Sequence, residues 1–165
     1  MNKNDCFQSE RLRYAGITEK DAESIVKWRS DSEIISFFRI PVPTNLSSHL
    51  EWFHNSYLSN DKRFDFIITD KATGVKIGTV GINAIDYTER SCEISYMIAE
   101  RDFRRKGLAS EAVSAMIGKI SEEGICTFFA EIHRENLASI YMIKKMGFRH
   151  CSQKNDFVIF RRDEE

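Results

Sequence analysis

The sequence contains few of the residues that interrupt or cross-link a chain. Only two of its 165 residues are proline, both in the tripeptide Pro41-Val42-Pro43. Its four cysteines are widely spaced and form no C-x-x-C pair, which is typical of reduced thiols in a cytoplasmic protein rather than of a disulfide framework or a zinc site. No repeat, low-complexity tract or linker is present. We therefore expect residues 1–165 to form a single domain without a bound metal.

Long apolar runs and an excess of one charge are also absent. The apolar runs are only a few residues long, and residues 1–13 lack the apolar core of a signal peptide, so we expect no membrane segment. Lysine and arginine number 24 and acidic residues number 25, which gives a formal net charge of −1. This balance disfavours nucleic acid as a partner. We predict a cytoplasmic protein with neither a membrane nor a nucleic-acid partner.

The most informative stretch covers residues 93–120, where the apolar period changes. Apolar residues stand at positions 92, 94, 96 and 98, the pattern of a strand with one buried face. From Leu108 the spacing becomes helical. The helical apolar positions are Ala109, Ala112, Val113, Met116, Ile117 and Ile120. The sequence thus predicts a strand, a short loop and a long amphipathic helix.

The loop between this strand and this helix carries three cations followed by a glycine. Arg104, Arg105 and Lys106 directly precede Gly107. The first N–H groups of a helix are unpaired and lie at the positive end of its dipole, and glycine lets a ligand approach the backbone closely. The residues alone leave two interpretations open. The loop is either a phosphate or pyrophosphate site, or a solvated basic turn whose glycine is needed only for geometry.

Other strand and helix patterns flank this stretch. The strands predicted outside it cover residues 11–17, 64–68, 76–87, 125–132, 148–153 and 157–161. The helices predicted outside it end near residue 29, cover about residues 44–57 and run from 136 to the glycine at 147. Residues 34–40 begin a short second helix or a covering loop, and Pro41 and Pro43 break the chain there.

The helix predicted within residues 44–57 carries a capping signature at residues 48–51, although it could begin nearer Thr44. Its expected buried stripe consists of Leu46, Leu50, Phe53 and Tyr57, with Trp52 beside it.

The order of these elements predicts an α/β (α+β) fold. We expect a mixed, mostly antiparallel sheet of about seven strands with about four helices on its faces. Only the strand–helix–strand unit from residue 92 to residue 132 needs a right-handed parallel crossover. A doubly wound dinucleotide-binding fold is excluded because strands and helices would have to alternate throughout.

Two segments, on the elements just described, resemble one family. Arg104-x-x-Gly107-x-Ala109 resembles the cofactor loop of the GCN5-related N-acetyltransferases, the GNAT superfamily. Asn136-x-x-Ser139 with Gly147-Phe148 resembles the second cofactor segment of that family, and the element order resembles the family's over nearly the whole chain. Three further blocks resemble its RimJ/RimL branch, namely Trp28-Arg29, His49-Leu50-x-Trp52-Phe53 and Ile77-Gly78-Thr79.

The resemblance implies acetyl-coenzyme A (acetyl-CoA) as co-substrate. The family splays its central strands apart, here residues 93–99 and 125–132, and the thioester lies in that gap. By resemblance, backbone N–H groups of residues 105–109 hold the pyrophosphate and residues 97–99 hydrogen-bond the pantetheine. The implied cofactor-binding residues are Met97, Ile98, Ala99, Arg104, Arg105, Lys106, Gly107, Leu108, Ala109 and Asn136.

The resemblance also implies that a neutral primary amine attacks the thioester directly in a ternary complex, so a base or a chain of waters must remove a proton from the amine. Glu93 is our first candidate, since it lies on the less apolar face of its strand. The other interpretation is an exposed ion pair of Glu93 with Arg90 or Lys76. Glu131 has the same two interpretations, with Arg134 or a neighbouring arginine as its partner.

The departing thiolate is often protonated in this family by a tyrosine seven residues after the asparagine, a position that is Ile143 here. Ser139 and Tyr141 are the remaining candidates for this catalytic role, although Tyr141 is turned by roughly 200° from Ile143 on a helix. A serine in this segment is the suspected acid in the RimJ/RimL branch. A thiolate that leaves unaided is a third option, since a thiol pKa is about 8.5.

The acceptor is expected to be a protein N-terminus or an amino sugar or other small-molecule amine. We expect His49, Trp52 and His54 to bind substrate from a helix over the acceptor mouth, although surface histidines are usually inert and Trp52 could pack in the core. Residues 30–60 hold no dense acidic cluster, which disfavours polyamines and aminoglycosides. Three matters stay open: whether the chain is a non-catalytic acyl-CoA sensor or scaffold, whether it is a nucleotide-binding protein of another fold, and whether it is a monomer or a homodimer.

Overall fold

The computed structural model of the protein describes residues 1–39 and 44–164. Its strands are β1 (Cys6–Gln8), β2 (Leu12–Gly16), β3 (Phe64–Asp70), β4 (Lys76–Asp86), β5 (Ser91–Ile98), β6 (Thr127–His133), β7 (Arg149–Lys154) and β8 (Phe157–Asp163). Its α-helices are α1 (Ala22–Arg29), α2 (Ser32–Ile35), α3 (Leu46–Trp52), α4 (Leu108–Ser121) and α5 (Leu137–Lys145). Short 3₁₀ turns cover Glu19–Asp21 and Arg101–Phe103. None of the described helices is long and apolar enough to cross a membrane.

The strands form one mixed sheet in the order β1-β2-β3-β4-β5-β6-β8-β7. Every neighbouring pair in it is antiparallel except β5 and β6, which are parallel and are joined by the crossover through α4. The predicted fold class is therefore confirmed. β8 lies between β6 and β7, so the last hairpin folds back to place its second strand beside the centre of the sheet.

The parallel pair separates along its length. β5 and β6 pair only at Ser91 with Thr127, Cys92 with Phe128 and Glu93 with Phe129. Beyond Glu93, β5 continues for five residues to Ile98 without a further β6 partner among the described residues. The predicted splay is thus present, and it leaves one edge of β5 unpaired in the middle of the sheet.

The two faces of the sheet bury different sets of residues, as the alternation of strand side chains requires. On one face, α4 inserts its apolar stripe, and Ala112, Val113 and Met116 are fully buried there. On the other face, α1 and α3 pack over Ile67 and Ala99. The two helical layers therefore cover opposite faces of the sheet.

Several details differ from the sequence prediction. β1 was not expected, because three residues with one half-buried side chain give no readable period. The predicted second helix or covering loop, residues 34–40, overlaps α2 only at Ile34 and Ile35, and Ile40, Pro41 and Pro43 lie outside the described residues.

The start of α3 agrees with the alternative nearer Thr44. Asn45 is its N-cap, and the Asn45 side chain accepts a hydrogen bond of 2.9 Å from the Ser48 N–H, so the helix begins before the predicted capping signature. With this start, His49 is 6% exposed and takes the buried position, whereas Leu46 is 40% exposed. After Trp52 the helix widens into a π-helical turn over Phe53–Tyr57, which changes the face its side chains present.

Candidate active site

The backbone of the loop before α4 is shaped as an anion site requires. Arg105 and Gly107 have φ values of 60° and 76°, in the left-handed region that favours glycine. Gly107 is the N-cap of α4 and provides no side chain to cap the first N–H groups of the helix. A Cβ at Gly107 would have Arg11 Nη2 at 3.5 Å as its nearest neighbour, so the space above the loop is open. These features fit the pyrophosphate of acetyl-CoA.

The first arginine of the loop has a structural role in the protein without ligand. Arg104 donates from Nε to the Ile98 carbonyl at 3.0 Å and from Nη2 to the Ala99 carbonyl at 2.8 Å. Its Nη1 also lies 3.1 Å from a carboxylate oxygen of Glu33. Arg104 thus fastens the loop to the end of β5, while Arg105 and Lys106 remain exposed.

A distant cation also supports this loop, and sequence reasoning did not find it. Arg11, at the start of β2, donates from Nη1 to the Lys106 carbonyl at 2.8 Å. Its Nε lies 2.6 Å from Glu111 Oε2 in the first turn of α4. Burial alone raises the pKa of Glu111, but hydrogen bonds from Ser9 and Arg11 together with the Arg11 charge lower it overall. No local pattern links residues 11 and 111, because only the folded sheet brings them together.

The unpaired edge of β5 offers fewer free backbone groups than predicted. The Ala99 N–H donates to the Ile77 carbonyl at 2.7 Å, and the Ala99 carbonyl accepts from Arg104. Both backbone groups of Ala99 thus have partners within the protein, and a hydrogen bond from Ala99 to the pantetheine stays a prediction. Antiparallel pairing alternates its hydrogen bonds, so Met97 also points its N–H toward β4. The N–H groups of Tyr96 and Ile98 are the ones that face the gap.

The residues predicted to act from the start of α5, Asn136, Ser139 and Tyr141, differ in their contacts and in their exposure to solvent. Asn136 is the N-cap, and its Oδ1 accepts from the Ser139 N–H at 3.2 Å. Ser139 is half-buried, and Ile143 is fully buried one turn further along. Tyr141 is 64% exposed, with the Lys145 ammonium 4.7 Å from its ring centroid. Tyr141 thus lies on the outer surface of α5, in agreement with the roughly 200° turn from position 143.

Glu93 and Glu131 share one arginine. Arg39 forms an ion pair with Glu93 through Nη2, and its Nε lies 2.8 Å from Glu131 Oε1. The partner of Glu93 is therefore Arg39 rather than Arg90 or Lys76. Both glutamates line a cavity of about 300 Å³ over the open face of β5, β6 and β8. The arrangement places two carboxylates beside the point where the parallel strands separate.

Cys92 lines the same cavity but is a poor nucleophile. It is 1% exposed, and burial, with the Glu93 charge as a smaller cause, raises the pKa of the Cys92 thiol to about 12. The side chain therefore stays a thiol at neutral pH, and thiolate is the reactive form.

The three predicted substrate residues lie on or just after α3, and none of them lines the cavity beside Glu93. His49 is buried, and burial followed by the Arg29 charge lowers its pKa. Trp52 packs against the His49 ring at 5.4 Å and under the Arg63 guanidinium at 4.9 Å. His54 Nε2 lies 3.1 Å from Glu19 at the surface. These contacts give His49 and Trp52 a packing role, and any substrate contact by the three stays a prediction.

Comparison with known proteins identifies the family. The chain matches the family described as "Acetyltransferase (GNAT) domain" over residues 11–149, which is most of its length. The protein therefore belongs to the GNAT acetyltransferases, and the predictions of an acetyltransferase and of acetyl-CoA as its co-substrate are confirmed.

Individual relatives are similar over nearly the whole chain. The protein of Mus musculus named alpha/beta-tubulin-N-acetyltransferase 9 is 35% identical over 170 residues, covering 95% of this chain and 69% of the mouse protein. RimL, a ribosomal L7/L12 alpha-N-protein acetyltransferase solved in complex with coenzyme A, has a TM-score of 0.83 at 15% identity, covering 96% of this chain and 98% of RimL. FdhC, described as a nucleotide-linked sugar GNAT, has a TM-score of 0.82 at 20% identity, with 97% and 90% covered. At these identities the two structures show the fold alone.

Proposed function

We propose that this protein is an N-acetyltransferase that moves the acetyl group of acetyl-CoA directly to a primary amine in a ternary complex. The observation that carries this proposal is the separation of β5 from β6 immediately after Glu93. It leaves an unpaired strand edge between an open anion loop at one end and a carboxylate-lined cavity at the other.

Coenzyme A is held mainly by backbone groups in this proposal. The N–H groups of residues 105–109 bind the pyrophosphate, and the cations at 105 and 106 add attraction. The Ile98 N–H faces the gap and can meet the pantetheine or the thioester oxygen. Asn136 caps α5 with its oxygen, so the nitrogen of its amide remains to reach the cofactor.

Glu93 acts as the general base in this proposal. It lies at the last paired position of β5 and lines the cavity from which an amine can enter the gap. A carboxylate within hydrogen-bond reach of an ammonium can take its proton as the nitrogen attacks. Arg39 holds the Glu93 side chain in place, and it competes with the incoming ammonium for the same oxygens.

Direct attack is favoured over a covalent acetyl-cysteine. The thiol that lies closest in sequence to Glu93 is Cys92, and its raised pKa keeps it protonated. An amine that attacks the thioester itself needs no such nucleophile, only a base and a donor for the carbonyl oxygen.

A protein α-amine is the acceptor we favour. At neutral pH about a tenth of an α-amine is uncharged, whereas less than about a thousandth of a lysine ε-amine is uncharged. A carboxylate base can therefore deprotonate an α-amine more easily than a lysine side chain. The names of the mouse relative and of RimL both refer to protein acetylation. An amino sugar is the second candidate, and its support is the fold shared with FdhC.

The experiment is release of free thiol from acetyl-CoA with a panel of amines. The panel comprises a hexapeptide with a free α-amine, the same peptide with a blocked N-terminus and one lysine, an amino sugar linked to a nucleotide, and spermidine. We expect the α-amino peptide to give the fastest release. Tight acetyl-CoA binding without release for any amine would support a non-catalytic sensor instead.

The single-domain organisation, the monomeric or homodimeric state and the cytoplasmic location stay predictions.

A further inference from the structure

Tyr96 carries a buried polar group without a hydrogen-bond partner. The Tyr96 hydroxyl is shielded from solvent and has no partner of hydrogen-bond geometry among the described residues. Tyr96 lies on β5 three residues past Glu93, in the stretch that has separated from β6. Its side chain is on the face covered by α4 and α5, packed at the edge of the main core.

The surroundings of this hydroxyl suggest a ligand rather than a packing role. A buried hydroxyl without a partner destabilises the folded protein, because it loses its hydrogen bonds to water, and phenylalanine would avoid this cost at the same position. The other two buried tyrosines use their hydroxyls: Tyr14 pairs with Ser9 at 2.9 Å, and Tyr57 accepts from the Asp65 N–H at 3.0 Å. Ser139 is the polar side chain close enough to the Tyr96 hydroxyl to act on it: hydrogen bonding by Ser139 lowers the Tyr96 pKa against the larger effect of burial, although the two hydroxyls do not reach full hydrogen-bond geometry.

Tyr96 and Ser139 come together from two different elements. Tyr96 belongs to the unpaired edge of β5, and Ser139 belongs to the first turn of α5. In the proposed function the thioester lies in the gap between β5 and β6, so its sulfur passes between the two hydroxyls. Ile143, one turn further along α5, has no proton to donate.

We propose that the Tyr96 hydroxyl donates a hydrogen bond to the coenzyme A sulfur as the thiolate departs. This inference rests on the proposed function. The acceptor nitrogen forms a bond to the carbonyl carbon, and the carbon–sulfur bond breaks with its electron pair going to sulfur. The proton lost by nitrogen goes to Glu93, and the thiolate is later protonated by solvent.

Tyr96 stabilises the thiolate without giving up its proton. Burial raises the pKa of Tyr96 to about 12, well above the thiol pKa of about 8.5. Complete transfer to sulfur would therefore be uphill, whereas a shared hydrogen bond is favourable. Because the negative charge on sulfur appears only as the bond breaks, this hydrogen bond should act on turnover and not on binding of acetyl-CoA.

The test is Tyr96→Phe, which removes only the hydroxyl. We expect single-turnover acetyl transfer to the α-amino hexapeptide to slow by about 10- to 100-fold, with the dissociation constant of acetyl-CoA unchanged within about twofold. The midpoint of thermal unfolding without ligand should stay the same or rise, because the hydroxyl has no partner to lose.

Two matched variants separate function from folding. Tyr57→Phe removes a buried hydroxyl that is hydrogen-bonded, so its unfolding midpoint should fall. Tyr87→Phe removes a hydroxyl from a tyrosine that is 51% exposed on the β4–β5 turn, and its transfer rate should match the wild type. A Tyr96→Phe protein with normal single-turnover rate would overturn the inference, as would slow turnover accompanied by a lower unfolding midpoint. If the wild type binds acetyl-CoA but acetylates no amine, the proposed function itself fails.

Discussion

The side chains proposed to do chemistry are held by residues far away in the chain. Arg39 bridges Glu93 and Glu131, and Arg11 ties Glu111 to the loop before α4. These ion pairs are partly exposed, so their value lies more in orientation than in stability. Glu93 and Glu131 form ion pairs with the same arginine from adjacent strands. A substitution of Glu131 therefore controls for the loss of the Arg39 contact when Glu93 is substituted.

Glu93→Gln should lower kcat/KM for the peptide by about 100-fold or more if Glu93 is the base, since general base catalysis contributes about 10²–10⁴-fold. Glu131→Gln disturbs the same Arg39 contact and should cost less than about fivefold. Initial rates of thiol release at saturating acetyl-CoA measure both. Equal losses in the two variants would assign the effect to the position of Arg39 and remove Glu93 as the base.

His49 should make the stability of the protein depend on pH. Burial lowers its pKa from the ordinary value of 6.5, and the Arg29 charge adds to this, while Asp65 opposes it. As the pH falls, the unfolded chain therefore binds a proton on His49 before the folded protein does. The stability contributed by neutral His49 is present above about pH 6.5 and is lost as pH falls through the pKa of His49 in the folded protein.

Urea unfolding between pH 7.5 and 5 tests this expectation. His49→Gln cannot titrate, so its free energy of unfolding should fall less than that of the wild type over this range. His54→Gln provides the comparison, because His54 is half-exposed beside Glu19. If the free energies of unfolding of the wild type and of His49→Gln changed with pH in parallel, the burial of His49 would not make the stability depend on pH.

At the scale of elements, the start of α4 is the part that the sequence predicts best. The change of apolar period, the cations and the glycine are all local. The helix begins at Leu108, and its expected apolar stripe is buried except for Ala109, which is half-buried. The start of α3 is predicted less well. Ser48 and Asn45 are both good caps, and the choice between them depends on whether His49 can be buried against Arg29 and Trp52, which is a tertiary contact.

Gly107→Glu should abolish measurable binding of acetyl-CoA, because it puts bulk and negative charge into the anion loop. Gly74→Glu is the matched control, since Gly74 has a φ of 72° and open space around it but lies in the β3–β4 turn. Both variants should lose about 1 kcal/mol of stability from backbone strain. Calorimetric titration with acetyl-CoA should then show normal affinity for Gly74→Glu only, and unchanged affinity in Gly107→Glu would remove the loop from the cofactor site.

At the scale of the whole molecule, the mixed sheet and its central parallel pair follow from element order, whereas its edges do not. The position of β8 between β6 and β7 depends on long-range pairing that local patterns cannot reveal. The same holds for Arg39, Arg11 and Tyr96, whose importance comes from where the sheet places them. The cofactor could be predicted because a local backbone pattern, the loop before α4, indicates it. The residues that transfer protons could not, because they are side chains scattered along the chain.

The central claim is direct transfer from acetyl-CoA to an amine in the gap between β5 and β6. Initial rates of acetylation of the α-amino hexapeptide, measured over a grid of both substrates, test it most directly. We expect intersecting double-reciprocal lines and one free thiol for each acetylated peptide. Parallel lines together with an acetyl group on Cys92 or Cys151, the two cysteines among the residues that border the cavity, would contradict direct transfer.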